Sequence, residues 1–169
     1  MRRTVATALI VSMLAPSVLL AIDGDKAAYF GGTAAAFAGA KEPVEGLLDT
    51  RNAEALSLTA EDKPFRGESL RIPYKSIIDL EYGQKAGRRV GAAVATTVLL
   101  GPIGLLTLFS KKRKHFLTIG FKDEQGTDQV AVIELGKDLV RTTLPIIKTR
   151  SGKEITYQDD EARKEAGGK

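Results

Sequence analysis

Val90 to Phe109 reads VGAAVATTVLLGPIGLLTLF and carries no charged side chain. Lys85, Arg88 and Arg89 precede it, and Lys111, Lys112, Arg113 and Lys114 follow it. A run of about 20 apolar residues matches the length of a helix that crosses a bilayer. Here, however, it lies between two stretches that alternate like strands. Upstream, Leu70, Ile72 and Tyr74 alternate in SLRIPY, and Ile78, Leu80 and Tyr82 alternate with Asp79 and Glu81. Downstream, Leu117, Ile119 and Phe121 alternate in HFLTIGFK, and QVAVIEL at Gln129–Leu135 returns after Asp123-Glu124-Gln125-Gly126. Such periodicity reads as half-buried strands joined by a hairpin. If both flanks belong to one sheet, a single crossing between them is excluded, because strands on opposite sides of a membrane cannot pair. A turn at Gly101-Pro102-Ile103-Gly104 would instead make the segment an apolar hairpin whose basic feet emerge on one side.

Further strands are expected at Val44–Thr50 and Ala55–Ala60, the latter with Leu56 and Leu58 on one face and Ser57 and Thr59 on the other. Arg51-Asn52 and Lys63-Pro64-Phe65-Arg66-Gly67 are turn signals. Val140, Leu144 and Ile147 form one helical stripe. Asp138 is a candidate cap, Pro145 a candidate kink, and Ser151-Gly152 the stop. Ile155–Tyr157 is a possible short strand. Residues 158–169 read as a charged, disordered tail.

At the N-terminus, Arg2 and Arg3 precede the apolar stretch Thr4–Leu14, then Pro16, with Ala21 as a small residue for cleavage. This is the secretory order, so 1–21 is expected to be a signal peptide and the mature domain to span 22–157. No Cys follows the stretch, which removes lipoprotein anchoring. An exported chain is expected in the periplasm or cell envelope, associated with a membrane.

Composition removes several function classes. The chain has 169 residues, no Cys, no Trp and one His. Disulfides, thiolate metal sites and Cys nucleophiles are thereby excluded, and so is a zinc site built on several imidazoles. The net charge is +4, and the excess falls to two without Arg2 and Arg3. That balance gives no argument for nucleic acid as a partner. No cofactor is expected. The glycines at Gly31-Gly32 and Gly101–Gly104 lead into no Gly-Lys-Ser/Thr element, so they are not phosphate loops.

Short antiparallel strands followed by one amphipathic helix make the expected class α+β, mainly β. YFGGT at Tyr29–Thr33, IPYKSIIDLEYG at Ile72–Gly83, GRRVGAA at Gly87–Ala93, KKRKHFLTIGF at Lys111–Phe121 and TRSGKEITY at Thr149–Tyr157 carry a resemblance over nearly all of the mature chain. The chain resembles pleckstrin-homology-like (GRAM-like) domains of exported bacterial proteins of unassigned function. The resemblance implies a bent sheet or barrel with a C-terminal helix, here with an apolar helical hairpin inserted at 87–110. It does not extend to phosphoinositide recognition, since Tyr29–Thr50 holds only one basic residue, Lys41.

The function expected from these residues is a non-enzymatic binding or scaffolding module at the envelope. Val90, Val94, Val98, Leu99, Leu100, Ile103, Leu105, Leu106, Leu108 and Phe109 would contact membrane. Arg88, Arg89, Lys111, Lys112, Arg113 and Lys114 would meet anionic lipid, each at roughly 1 kcal/mol. Three alternatives stand beside it: the hairpin as a self-association or partner interface of a soluble exported protein, a single-pass membrane protein, and a hydrolase using Asp79/Glu81 or His115. On spacing alone, Asp79 and Glu81 read as a solvated strand face and His115 as a surface or strand-edge residue.

Overall fold

The alternating stretches do form strands, and they join one sheet. The computed structural model describes residues 25–84 and 114–167. The strands are β1 (Asp25–Gly32), β2 (Val44–Asp49), β3 (Ala55–Ala60), β4 (Ser69–Pro73), β5 (Ile77–Gly83), β6 (His115–Lys122), β7 (Asp128–Leu135) and β8 (Ile155–Tyr157). They lie side by side in the order β4-β3-β2-β1-β7-β6-β5-β8. Neighbours are antiparallel except β5 and β8, which run parallel, with Leu80 opposite Ile155 and Tyr82 opposite Tyr157. Helix α1 (Lys137–Ser151) precedes β8 and helix α2 (Asp160–Glu165) follows it.

Turn chemistry sets the local register. After β2, Asp49 Oδ1 accepts from the Arg51 backbone N–H at 2.8 Å, and Asn52 Oδ1 accepts from the Glu54 N–H at 2.7 Å. After β6, Asp123 Oδ1 accepts from the N–H groups of Gln125 and Thr127 at 3.0 and 2.8 Å. Side chains that mimic a backbone turn in this way reverse the chain in few residues. The Asp123 carboxyl is held below its ordinary range, first by the Thr127 N–H.

One hydrophobic core takes Leu58 of β3, Ile72 of β4, Leu80 of β5, Leu117 and Ile119 of β6, Ile133 of β7 and Ile155 of β8. Leu139, Val140, Leu144 and Ile147 of α1 fill the same core. Pro145 does not break α1, which is continuous over Lys137–Ser151. The carbonyl that loses its N–H partner belongs to Arg141, which is exposed to solvent. Asp138 lies in the first turn and the N-cap is Gly136, without a side-chain cap. Gly152, at φ 67°, takes the left-handed position that ends the helix and donates its N–H to Lys148 O. The far end of α1 is tied down by the Arg150 guanidinium, which donates to the carbonyls of Thr50 and Asn52 and lies 5.4 Å from the Tyr74 ring centroid.

Two expectations need correction. The barrel or bent sheet with an inserted apolar helical hairpin is replaced by an eight-stranded mixed sheet, and no apolar helical hairpin occurs among the described residues. The short strand expected at Ile155–Tyr157 does form, and it extends the sheet past β5 because it runs parallel beside Leu80 and Tyr82. Nor is 158–169 a disordered tail throughout. Asp159 Oδ1 caps α2 by accepting from the Ala162 N–H at 2.8 Å, and Ala162 is buried in the core. The expected signal peptide 1–21 and the apolar stretch Val90–Phe109 lie outside the described residues.

Candidate functional site

The connection between β5 and β6 starts and ends at one place. Tyr82 lies opposite Leu117 and Gly83 opposite Phe116, so Gln84 and Lys114 leave neighbouring strands at the same end of the sheet. The same end receives the start of β1, because Ala27 and His115 are both opposite Leu135. It also holds the N-terminus of α1, which follows β7 directly. Exposed Lys26, Lys137 and Arg141 stand there. Among the described residues no helix is long and apolar enough to cross a membrane.

Of the expected contact residues, only Lys114 is described. Arg88, Arg89, Lys111, Lys112, Arg113 and the apolar residues from Val90 to Phe109 lie outside the described residues. The Lys114 ammonium is 2.7 Å from Glu134 Oε2 and 5.2 Å from the Phe30 ring centroid. It is therefore engaged with its own domain rather than offered to a ligand.

His115 departs from its expected surface position. It is 8% exposed, and its Nδ1 lies 2.7 Å from the Tyr82 hydroxyl and 3.3 Å from Glu165 Oε2. The Tyr82 and His115 rings stack with 4° between their planes. Burial, then the Glu165 carboxylate, then Tyr157 push the Tyr82 hydroxyl well above its ordinary value. The Nδ1 of His115 thus stands within reach of both the Tyr82 hydroxyl and the Glu165 carboxylate, and the tautomer of the ring sets whether it donates or accepts there. A cavity of ≈ 520 Å³ adjoins this cluster, lined by His115, Lys137, Asp138, Val140, Arg141 and Glu165.

Asp79 and Glu81 do not form a solvated face. Glu81 is 6% exposed, and its Oε1 accepts from Gln158 Nε2 at 3.0 Å. Its side chain lies on the face opposite to that of Leu80 and Tyr82, while His115 lies on their side beside Tyr82. The residues of the hydrolase alternative are thus separated by the thickness of the sheet. Among the described residues no group of three or more His, Cys, Asp or Glu is placed to hold a metal ion.

Sequence reasoning missed the Tyr82–His115–Glu165 cluster, whose members come from β5, β6 and α2. The only signal was a histidine at the head of an apolar strand. No protein-family model, curated protein or solved structure matches this chain.

Proposed function

We propose that this chain is a non-enzymatic binding module of the cell envelope, held to an anionic membrane surface by its apolar segment 90–109 and the basic residues on either side. One observation carries the reading: the chain leaves the sheet at Gln84 and returns at Lys114 from adjacent strands, beside the start of β1. A segment with neighbouring feet can enter one leaflet and return while the whole domain stays on one side. Apolar burial would supply most of the attachment, at about 25 cal/mol per Å². Lys111, Lys112 and Arg113 add a part that salt screens. Lys114 contributes little, because Glu134 already pairs with it.

Vesicle flotation of the purified protein tests this. Leu99→Asp with Leu105→Asp is expected to abolish binding at any salt. Neutralising Lys111, Lys112 and Arg113 is expected to weaken binding to anionic vesicles and leave neutral ones unaffected. A protein that ignores vesicles of every charge, yet forms a dimer lost on Leu99→Asp, would make the segment an interface between copies instead.

A further inference from the structure

The sheet has two edges, β4 and β8. At the β8 edge the strand has only three residues, and α2 follows it, with Ala162 buried and the Arg163 guanidinium 5.5 Å from the Tyr157 ring centroid. At the β4 edge Ser69 and Arg71 are exposed, while Leu70 and Ile72, which alternate with them, face the core. The β3–β4 ladder runs without a register shift, from Ser69 opposite Thr59 to Pro73 opposite Ala55. Its hydrogen bonds fix which way the backbone groups of β4 point. The Ala60 N–H donates to Glu68 O at 2.8 Å and the Tyr74 N–H to Glu54 O at 2.8 Å, both in that register. Bonded pairs alternate along an antiparallel ladder. Leu70 and Ile72 therefore bond to β3, and Ser69, Arg71 and Pro73 turn their backbone groups away from it. Proline has no N–H, and the Pro73 carbonyl accepts from Ser76 Oγ at 2.8 Å. That leaves the N–H and C=O of Ser69 and Arg71, which no hydrogen bond reaches among the described residues.

We infer that β4 pairs antiparallel with β4 of a second copy of this chain, about a two-fold axis at Leu70. In this register Ser69 of each copy lies opposite Arg71 of the other, and the two residues exchange N–H···O=C bonds in both directions. Every free outward group of the edge is thereby satisfied. Other registers fail on this chain's own chemistry. Odd slips set outward residues against ones already bonded to β3. An even slip one way sets Arg71 opposite Arg71 and Ser69 opposite Pro73, which apposes like charges and meets a residue with no N–H and a carbonyl already in use. The even slip the other way sets Arg71 opposite Gly67, whose N–H already donates to Ala60 O at 2.9 Å. A second copy suits this edge better than a foreign strand, because the edge is bounded by Gly67 and Pro73 and its own image fills it completely. The junction is small, below about 1,200 Å² in total, so the dimer is expected to be weak.

Sedimentation equilibrium of the full chain without lipid, at concentrations up to about 1 mM, tests the pairing. A monomer–dimer equilibrium is expected. Arg71→Pro removes an outward N–H and spares the ladder to β3, and is expected to weaken the dimer roughly tenfold. Ser69→Glu would face Arg71 of the second copy and is expected to tighten the dimer severalfold, whereas Ser69→Arg is expected to loosen it by a similar factor. Leu99→Asp with Leu105→Asp is expected to leave it unchanged. A chain that stays monomeric, a dimer that survives in folded Arg71→Pro, or a dimer indifferent to the Ser69 variants would overturn the pairing. So would a dimer lost on the Leu99 and Leu105 changes. The Ser69 variants decide the matter even if Arg71→Pro fails to fold, because Ser69 is exposed and its Oγ accepts only from Thr59 Oγ1, at 3.2 Å. Lipid is absent throughout, so failure of vesicle binding leaves these readouts untouched and the two proposals fail separately.

Discussion

The two faces of the β6–β7–β1 region are made from alternate residues of the same strands, yet they are packed by different means. The inner face meets α1, whose Val140, Leu144 and Ile147 arrive from the next element in the chain. The outer face is as deeply buried at Val132 and Val130 as the inner one is at Ile133 and Ala131, with no described helix against it. An alternating strand normally marks one dry and one wet face. Strands apolar on both faces lose water from both, so each face contributes to stability.

The largest test of this comparison is a pair of truncations read by urea unfolding. Ile133→Ala on the inner face is expected to cost roughly 3 kcal/mol, through lost transfer and the cavity left behind. Val132→Ala on the outer face is expected to cost about half as much, since fewer methyl groups are removed. A Val132→Ala cost near zero would break the comparison, because it would mean that the outer face is covered without being packed.

A pH titration addresses the inner face alone. Burial pushes the Tyr29 hydroxyl up from 10.0 to about 12. The folded state thus favours the neutral phenol, whose contribution is complete below pH 10 and is lost as pH rises toward 12. Stability is expected to fall over that window and to fall less in Tyr29→Phe, measured as urea midpoints across the alkaline range. An identical alkaline limb in Tyr29→Phe would assign the loss to other groups.

Smaller effects sharpen the same contrast at its margins. Arg150→Ala removes the tie between the end of α1 and the β2–β3 turn, and is expected to cost roughly 1 kcal/mol, given how exposed the side chain is. Gly83 lies against Gln158, and an added Cβ would sit 2.0 Å from the Gln158 carboxamide. Gly83→Ala is expected to swing that flexible side chain off Glu81 at a cost of under about 1 kcal/mol, read as a small shift in thermal midpoint. A larger loss would show that Gln158 is held more rigidly over the outer side of β5.

Most strands were legible because they alternate. Ala55–Ala60, the Leu70–Tyr82 region and the two strands from His115 to Leu135 carry period-two patterns, and α1 carries a clear apolar stripe. The strand β1 was not legible. Its sequence, DKAAYFGG, is rich in small residues and lacks alternation, yet it is the strand that joins β2 to β7. Gly32 explains part of this: at φ 131° an added Cβ would meet the Val130 carbonyl at 2.1 Å, so close approach to β7 demands glycine. The helix in the charged tail was hidden as well, since one buried Ala162 gives almost no pattern.

The sequence by itself determined what this protein lacks and where its unusual surface lies. Absent cysteines and a single histidine settle which chemistry is out of reach, because reactivity depends on residue type before geometry. An uncharged run of twenty residues between basic clusters must be hidden from water somewhere, whatever the fold. Only the tertiary structure decided that Gln84 and Lys114 follow and precede adjacent strands, that His115 meets Tyr82 and Glu165, and that the central strands are dry on both sides. Those facts depend on register between strands far apart in the chain. Alternation along one strand marks its two faces, but not which strand lies beside it or what covers each face.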